Sequence, residues 1–384
     1  MEAAAAVVRG LRHSRLTPTT RATYQVGQRA WLEFCAHAGC SPLLVESAPV
    51  EHVASVLEQF VGFLLVSRRI NSASAINTYL SAVSALHVDV GVRSPTRSVR
   101  QAGLMHDLFQ GLHRVMGASQ RAPPLTVLDL RVAVERAFAS GDGIAVACAA
   151  LCVLAATAML RVHEYVVYGG ELVVRRGLSE VALSDEPEQE AAARRSELVW
   201  RVRQALRTRD VTFTQDRSGA SVMQVRLRAW KYSHTGAEHV NPIRCVEDWP
   251  VCAHCCVQRF LETRNRQQAA RGQAARGCPW LAQLADGRFV TEADMTAFIR
   301  RAARLAGRAD WATCTPHSLR RGGATQLFQT SLDATMVREV GRWRSATGVE
   351  PYLVTHTQVY QDTWQQAVRS QGSQGATLGT LVRR

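Results

Sequence analysis

Lysine is almost missing from this chain of 384 residues: all but one of its 46 basic residues are arginine, and the exception is Lys231 in "LRAWKYSHTG". A GC-rich genome accounts for a general preference, yet arginine has served at every other basic position. Arginine forks onto phosphates and keeps its proton, whereas lysine is a compact charge whose pKa moves readily and can fall far enough to release one. Lys231 is therefore a candidate proton donor, the alternative being chance retention of one codon. Acidic residues are also in deficit, 32 against 46 basic, which gives a formal charge of +14. That balance favours a polyanionic partner such as nucleic acid over an acidic small molecule.

Long apolar runs are scarce as well. The most apolar one, "IAVACAALCVLAATAML" at 144–160, has 17 uncharged residues, the lower limit for a membrane span. Its alanine and cysteine content, and Arg161 directly after it, mark a buried core helix. "MEAAAAVVRG" has no basic leader before its short apolar run, so no secretory signal is expected. Ten cysteines then read as thiols of a reducing compartment rather than a disulfide framework. Cys252, Cys255 and Cys256, with Cys245 upstream and His254 between, carry ligand chemistry. Their spacing is not repeated as a second ligand pair, since Cys278 stands alone before Pro279. Apolar packing at a helix start is the expected role, and no metal or cofactor is expected.

The length suffices for two domains. From "TPTTRATYQVGQRAWLEFCAHAG" to "MHDLFQGLHRVMG" the periodicity predicts four or five amphipathic helices, with Tyr24, Trp31 and Phe34 among the apolar positions. "GASQRAPPLT", small, polar and carrying a Pro pair, reads as an interdomain linker. Beyond it, "VLDLRVAVERAFAS" and the 144–160 run are helical, and the charged stretch around 179–198 reads as an exposed insertion. "DVTFTQDRSGASVMQVRLRAWKYS" alternates about the turn "DRSG" and predicts a β-hairpin with Lys231 at or just past its second strand. Most of the remainder is helical, and "SQGSQGATLGTLVRR" has linker composition. The expected fold class is mainly α with a small β-hairpin sheet (α+β). The expected boundaries are a helical domain over 1–117, a linker over 118–126, a second domain over 127–365 and a tail over 366–384.

Several features of the second domain gain meaning together. Arg161 ends the apolar run in "AMLRVHEYV" and needs a partner or an anion, with Glu164 at i+3 as the local candidate. "TPHSLRRGGAT" places His317 and Arg320 on one face near a helix N-terminus, where anions are favoured. Arg321 faces elsewhere, and Gly322–Gly323 permits close approach by another helix or by DNA. "GRWRSATGVEPYL" sets Tyr352 nine residues after Trp343. A phosphodiester attacked by a tyrosine oxygen needs donor-rich positive groups around its non-bridging oxygens and a proton for the leaving oxygen.

In that order, with those spacings, the chain resembles a tyrosine recombinase of the phage-integrase family. The motifs are Arg in "LRVHE", Lys on a hairpin, "HSLRRGGAT", "GRW", then the tyrosine. "TRATYQVGQRAWLEFC" and "SAINTYLSAVSALH" are similar to that family's core-binding (SAM-like) domain. The "HSLRRGGAT…GRWRS" wording resembles recombinases of eukaryotic mobile elements, of the Crypton or tyrosine-recombinase retrotransposon type. The resemblance covers nearly the whole chain.

It implies site-specific DNA cleavage and rejoining through a 3′-phosphotyrosine, without metal or ATP. Tyr352 would be the nucleophile, Arg161 and Arg320 the phosphate clamp, and Lys231 the general acid. His317 would assist proton removal or bind the phosphate, Trp343 would stand where many members have His, and Glu164 would orient Arg161. The implied partners are double-stranded DNA and three further protomers of a homotetramer, with neither membrane nor small-molecule substrate. The implied location is the nucleus in a eukaryote and otherwise the cytoplasm or nucleoid. Tyr360 is a second tyrosine whose spacing fits less well, and His234 and His239 are read as solvated loop residues flanking Lys231. Two rival readings remain: DNA relaxation of the type IB topoisomerase kind, and a domesticated, catalytically silent DNA-binding protein.

Overall fold

The computed structural model of the protein describes residues 16, 18–44, 47–117, 121–167, 204–228, 239–246, 249–272 and 279–352. Lys231, His234, Tyr360, the 179–198 insertion and the 366–384 tail lie outside the described residues. Among the described residues, no helix is long and apolar enough to cross a membrane. The chain divides into two compact units, with the change between Arg121 and Ala122.

The first unit contains α1 (Pro18–Ala38), α2 (Val50–Val66), α3 (Ala73–Asp89), α4 (Pro95–Gln101) and α5 (His106–Met116). Its core forms where the apolar stripes of the first three helices meet, with Trp31, Leu57, Phe60, Leu64, Ile76 and Leu80 buried. Trp31 meets Phe60 edge-on at 5.0 Å, and its indole N–H donates to the Pro42 carbonyl at 2.9 Å; this satisfies the polar end of a side chain that is otherwise apolar. His87 is fully buried on α3. It donates from Nδ1 to the Val83 carbonyl at 2.8 Å and accepts the Leu44 N–H on Nε2 at 2.9 Å. That second contact requires the neutral ring, and burial lowers its pKa, only partly opposed by the Val83 bond.

The second unit is built around α7 (Gly143–Thr157). Apolar on every side, this helix has to be surrounded rather than laid on a surface, and α6 (Val127–Ser140), α9 (Ala253–Ala270), α10 (Glu292–Leu305) and α11 (Pro316–Ser331) pack around it. Capping boxes at Thr126/Asp129 and Thr291/Asp294 fix where α6 and α10 begin. The glycine pair of α11 serves this packing: a Cβ on Gly322 would fall 1.7 Å from the Leu125 carbonyl oxygen, and one on Gly323 1.9 Å from that of Ala156. The close approach allowed by the pair is thus made by the unit's own backbone.

The predicted hairpin is β1 (Val211–Gln215) and β2 (Ser221–Leu227), and β3 (His239–Arg244) adds a third strand. The sheet is antiparallel in the order β1-β2-β3, with Leu227 opposite His239 and Val222 opposite Arg244. Residues 228–238, with Lys231 among them, therefore connect β2 to β3. His239 is half-buried and hydrogen-bonded to Asn241 Oδ1 at 2.8 Å, not a solvated loop residue.

α7 differs from the sequence expectation in one respect that matters for the site. The apolar run extends to Leu160, but the helix stops at Thr157, and Met159 takes a left-handed φ of 48°. Arg161 is consequently not the end of a long helix. It opens a short one, α8 (Val162–Tyr165), as its N-terminal flanking residue.

Candidate active site

The N–H groups of Ala158, Leu160 and Met159 close on the Leu154, Ala155 and Ala156 carbonyls at the end of α7, so it is the Ala158 and Met159 carbonyls just past the break that need donors, at an end that the helix dipole makes attractive to cations. Two guanidiniums fill it. Arg320, from α11, donates to the carbonyls of Met159 and Gly341. Arg342 donates to Ala158 at 3.2 Å and to Met159 at 3.3 Å.

Arg342 also reaches Glu164 Oε2 at 2.7 Å, with both side chains buried. Glu164 accepts the Arg161 backbone N–H at 2.8 Å on the same oxygen and the Arg161 guanidinium at 3.2 Å on the other. Burial raises the Glu164 pKa, but the charges of Arg342, Arg161 and Arg320 and the Arg161 N–H outweigh it, so the carboxyl is held below its ordinary value as a carboxylate. Glu164 was expected to serve Arg161 alone; it joins both arginines.

The "GRW" segment has a physical reading residue by residue. α12 (Ala334–Gly341) ends with Trp343 N–H donating to Arg338 O at 2.9 Å and Arg342 N–H to Glu339 O at 3.0 Å, the paired bonds of a Schellman stop. The left-handed position of that stop normally takes glycine, yet Arg342 holds it at φ 59°. This costs roughly 1–2 kcal/mol, which the buried pairing of its guanidinium offsets. Gly341 is required by its neighbour: a Cβ there would lie 1.6 Å from Trp343 Cζ3. The turn sets the Trp343 ring against the Arg320 guanidinium at 4.1 Å and against the Tyr352 ring at 4.8 Å.

Tyr352 arrives through α13 (Ala346–Val349), capped by Ser345, and a 3-10 turn over Glu350–Tyr352. Its carbonyl accepts the Thr325 hydroxyl at 3.1 Å. Its own hydroxyl lies 3.1 Å from His317 Nε2. His317 occupies the first turn of α11, after Pro316 and the Thr315/Ser318 capping box, where the proline removes an N–H that would have no partner. The protein around the ring, with the charges of Arg320, Arg321 and Arg161, pushes the His317 pKa down to about 4. The ring is also exposed, so water offsets part of that effect. The imidazole is neutral at pH 7 in either case and able to accept the tyrosine proton.

Arg161, His163, His317, Arg320, Trp343 and Tyr352 thus line one open pocket of about 400 Å³. Arg161 lines the pocket with 16% of its side chain exposed. Arg320 is 1% exposed and lines the pocket from below, with two of its donors taken by the Met159 and Gly341 carbonyls. Burial and the charges of Arg161 and Arg342 lower its pKa to about 9, which leaves it protonated at neutral pH. A larger cavity of about 750 Å³ in the first unit is lined by Asn77, Arg100, His106 and His113, but it lacks a tyrosine or thiol beside a base.

No family model and no curated protein matches the chain. Among solved structures it is similar to the XerA recombinase, with 16% identity over 94% of this chain and 95% of that one and a TM-score of 0.35. A XerH site-specific recombinase bound to its palindromic difH substrate gives 13%, 83% and 72%, with a TM-score of 0.48. The Tn1549 transposon integrase in complex with transposon right-end DNA gives 13%, 90% and 92%, with a TM-score of 0.45. The chemistry is accordingly inferred from this chain's own side chains.

Of the seven residues singled out in the sequence, the structure brings Arg161, Glu164, His317, Arg320, Trp343 and Tyr352 together, while Lys231 lies outside the described residues. Sequence reasoning missed Arg342 and His163. The signal for Arg342 was the "GR" pair at a helix end, where arginine stands in place of the usual glycine stop. The cysteines also behave unevenly: Cys256 joins the apolar core as expected, whereas Cys255 turns towards Cys245, their sulfurs 3.3 Å apart.

Proposed function

We propose that the protein is a site-specific DNA recombinase that cleaves and rejoins DNA through a 3′-phosphotyrosine. The observation that carries this reading is the Tyr352 hydroxyl 3.1 Å from a neutral His317, in a pocket shared with Arg161 and Arg320. Tyr352 Oη attacks the scissile phosphorus as His317 Nε2 takes its proton. The P–O5′ bond breaks, and Lys231, on the β2–β3 connection, protonates the departing 5′ oxygen. A 5′-hydroxyl attacking the phosphotyrosine reverses the step, so bond energy is conserved and neither metal nor nucleotide is consumed. Arg161 and Arg320 stabilise the charge on the non-bridging oxygens, at about 3–4 kcal/mol each by comparison with oxyanion donors. Trp343 donates its indole N–H and holds Arg320 and Tyr352 in register, the guanidinium over its ring and the tyrosine ring tilted against it. Lysine suits the acid role because an arginine, with a pKa above ~12, gives its proton up too reluctantly.

Duplex DNA is the proposed partner, gripped by the helical 1–117 domain and the catalytic domain through arginine contacts to the backbone, with affinity that falls steeply with salt. Four protomers on two synapsed sites form the reacting assembly, the context is a mobile element, and the site of action is the nucleus or nucleoid. The test is an adduct trap: the full chain is incubated with nicked suicide duplexes made from the DNA flanking its gene, denatured, and the linked residue mapped by mass spectrometry. The expected adduct is on Tyr352 and is lost in Tyr352→Phe. Linkage at Tyr360 overturns the assignment of the nucleophile, and salt-sensitive binding with no adduct on any duplex from a randomised-site selection overturns the reading. Relaxation of supercoiled DNA without site dependence would assign the same chemistry to a topoisomerase instead.

A further inference from the structure

The cysteines left over from the core form a second centre. Cys245 directly follows β3 at the end of the sheet opposite the β2–β3 connection, and Cys252, His254 and Cys255 lie at the start of α9. Cys245 Sγ and Cys255 Sγ are 3.3 Å apart, His254 Nδ1 is 3.9 Å from Cys255 Sγ, and these three donor atoms all fall within 4.8 Å of one another. Cys252, at the N-terminal flank of α9, lies outside that trio, and its thiol interacts electrostatically with those of Cys255 and Cys245. A tetrahedral ion with bonds of about 2.0–2.3 Å needs donors about 3.5–3.8 Å apart; the Cys245–Cys255 and His254–Cys255 pairs are within about half an ångström of that spacing, and the trio as a whole needs shifts of about an ångström at most.

We propose that Cys245, Cys252, Cys255 and His254 Nδ1 bind a structural zinc ion that clasps the end of β3 to the N-terminus of α9.

Three features beyond proximity fit a thiolate–metal centre better than buried packing. Neither Cys245, Cys252 nor Cys255 belongs to the apolar core that takes up the adjacent Cys256. Backbone N–H groups point at sulfur: Val246 donates to Cys252 Sγ at 3.3 Å, and the first turn of a helix supplies positive dipole to the same atoms. The histidine is oriented from behind, its Nε2 sharing a 2.8 Å hydrogen bond with Ser221 Oγ. With the proton on Nε2, the Nδ1 lone pair faces the sulfurs, as metal-ligating histidines are held by their outer partners. Ser221 also ties the two ligand elements together, since its carbonyl accepts the Cys245 N–H at 2.8 Å. Three sulfurs and one imidazole in a closed tetrahedral set select zinc over the hard oxygen-seeking cations. The role is structural: four protein ligands leave no open position, so the metal takes no part in strand cleavage. This assignment does not depend on the recombinase reading.

The test uses the full chain purified in reducing, chelator-free buffer after expression with added zinc. Metal content by mass spectrometry is expected at one zinc per chain. Exchange for cobalt(II) is expected to give the intense visible bands of tetrahedral thiolate ligation, a readout that needs no variant to fold. Cys245→Ser and Cys255→Ser are expected to lose the metal, and Cys40→Ser in the first unit to keep it. Ser221→Ala, which removes only the outer partner, is expected to weaken binding ~10–100-fold. A metal-free wild type, an octahedral cobalt spectrum, or serine variants that bind zinc as well as wild type would overturn the assignment. So would alkylation mapping that finds Cys245 and Cys255 joined as a disulfide under the same reducing conditions.

Discussion

Replacing Arg342 by methionine tests the account of how the active site is held together. The methionine fills much of the arginine's volume but leaves Glu164, fully buried, facing the site with Arg161 as its remaining partner. Removing one member of a buried pair typically costs about 3–5 kcal/mol, because the survivor stays desolvated without its counter-charge. The carbonyls of Ala158 and Met159 lose donors as well. Relief of the left-handed strain does not offset this, since methionine carries the same Cβ. Glu164→Gln, which removes the charge from the other side, is costly too, but in Glu164→Gln/Arg342→Met neither charge is stranded. The double variant is therefore expected to be less destabilised than the two single costs added together, with a coupling of about 2 kcal/mol.

The pH dependence has a definite sign. The folded pKa of Glu164 lies below the ordinary glutamate value of 4.5, so its contribution is fully present above that value and is lost as pH falls through the folded one. Calorimetric unfolding of the second unit from pH 3 to 7 should show wild type and Arg342→Met farthest apart at neutral pH and converging in acid. Strict additivity in the cycle, or a cost for Arg342→Met under about 1 kcal/mol, would refute the claim that this pair holds the site.

Three further expectations follow from particular contacts. In the DNA-free protein the His317 ring should titrate below 6.5, shifted towards about 4, and its contribution to stability should be lost as pH falls from 6.5 towards the folded value, because the unfolded chain takes up a proton there first; an NMR titration giving a pKa near 6.5 contradicts the electrostatic argument. Gly323→Ala should destabilise the second unit by about 1–3 kcal/mol through overpacking, as its Cβ would meet the Ala156 carbonyl oxygen at 1.9 Å; an unchanged denaturant midpoint would mean that α7 and α11 can part at no cost. His87→Leu should cost the first unit about 1–3 kcal/mol by leaving the Leu44 N–H without its acceptor and should flatten that unit's loss of stability below pH 6.5; a leucine variant as stable as wild type would show that the Leu44 N–H finds another acceptor.

Much of the site was legible in the sequence because its chemistry requires residue types at fixed local spacings. Arg161 and Glu164 at i, i+3, His317 and Arg320 on one helix face, and Trp343 with Tyr352 nine residues on are short-range facts. The helical character of α6, α7, α10 and α11 and the β1–β2 hairpin follow from apolar periodicity and turn chemistry, which are local as well. The bias that isolates Lys231 is compositional and belongs to the sequence alone.

What only the tertiary structure decided arises from partners far apart in the chain. The apolar run 144–160 reads as one helix, and nothing local marks its end at Thr157. The break becomes favourable because Arg320 and Arg342 arrive from α11 and from the end of α12 to take the carbonyls it frees. Arg342 looked like one arginine among many, since its pairing with Glu164 spans 178 positions. Gly322 and Gly323 suggested close approach, but the approaching surfaces, the Leu125 and Ala156 carbonyls, could not be read from the motif. The cysteines at 245, 252 and 255 lacked a repeated spacing because their geometry is set by the end of β3 docking on α9, not by a single turn. Side-chain types and local periods are written in the sequence; the desolvation that makes an arginine, a glycine or a thiol indispensable exists only once distant segments have closed around it.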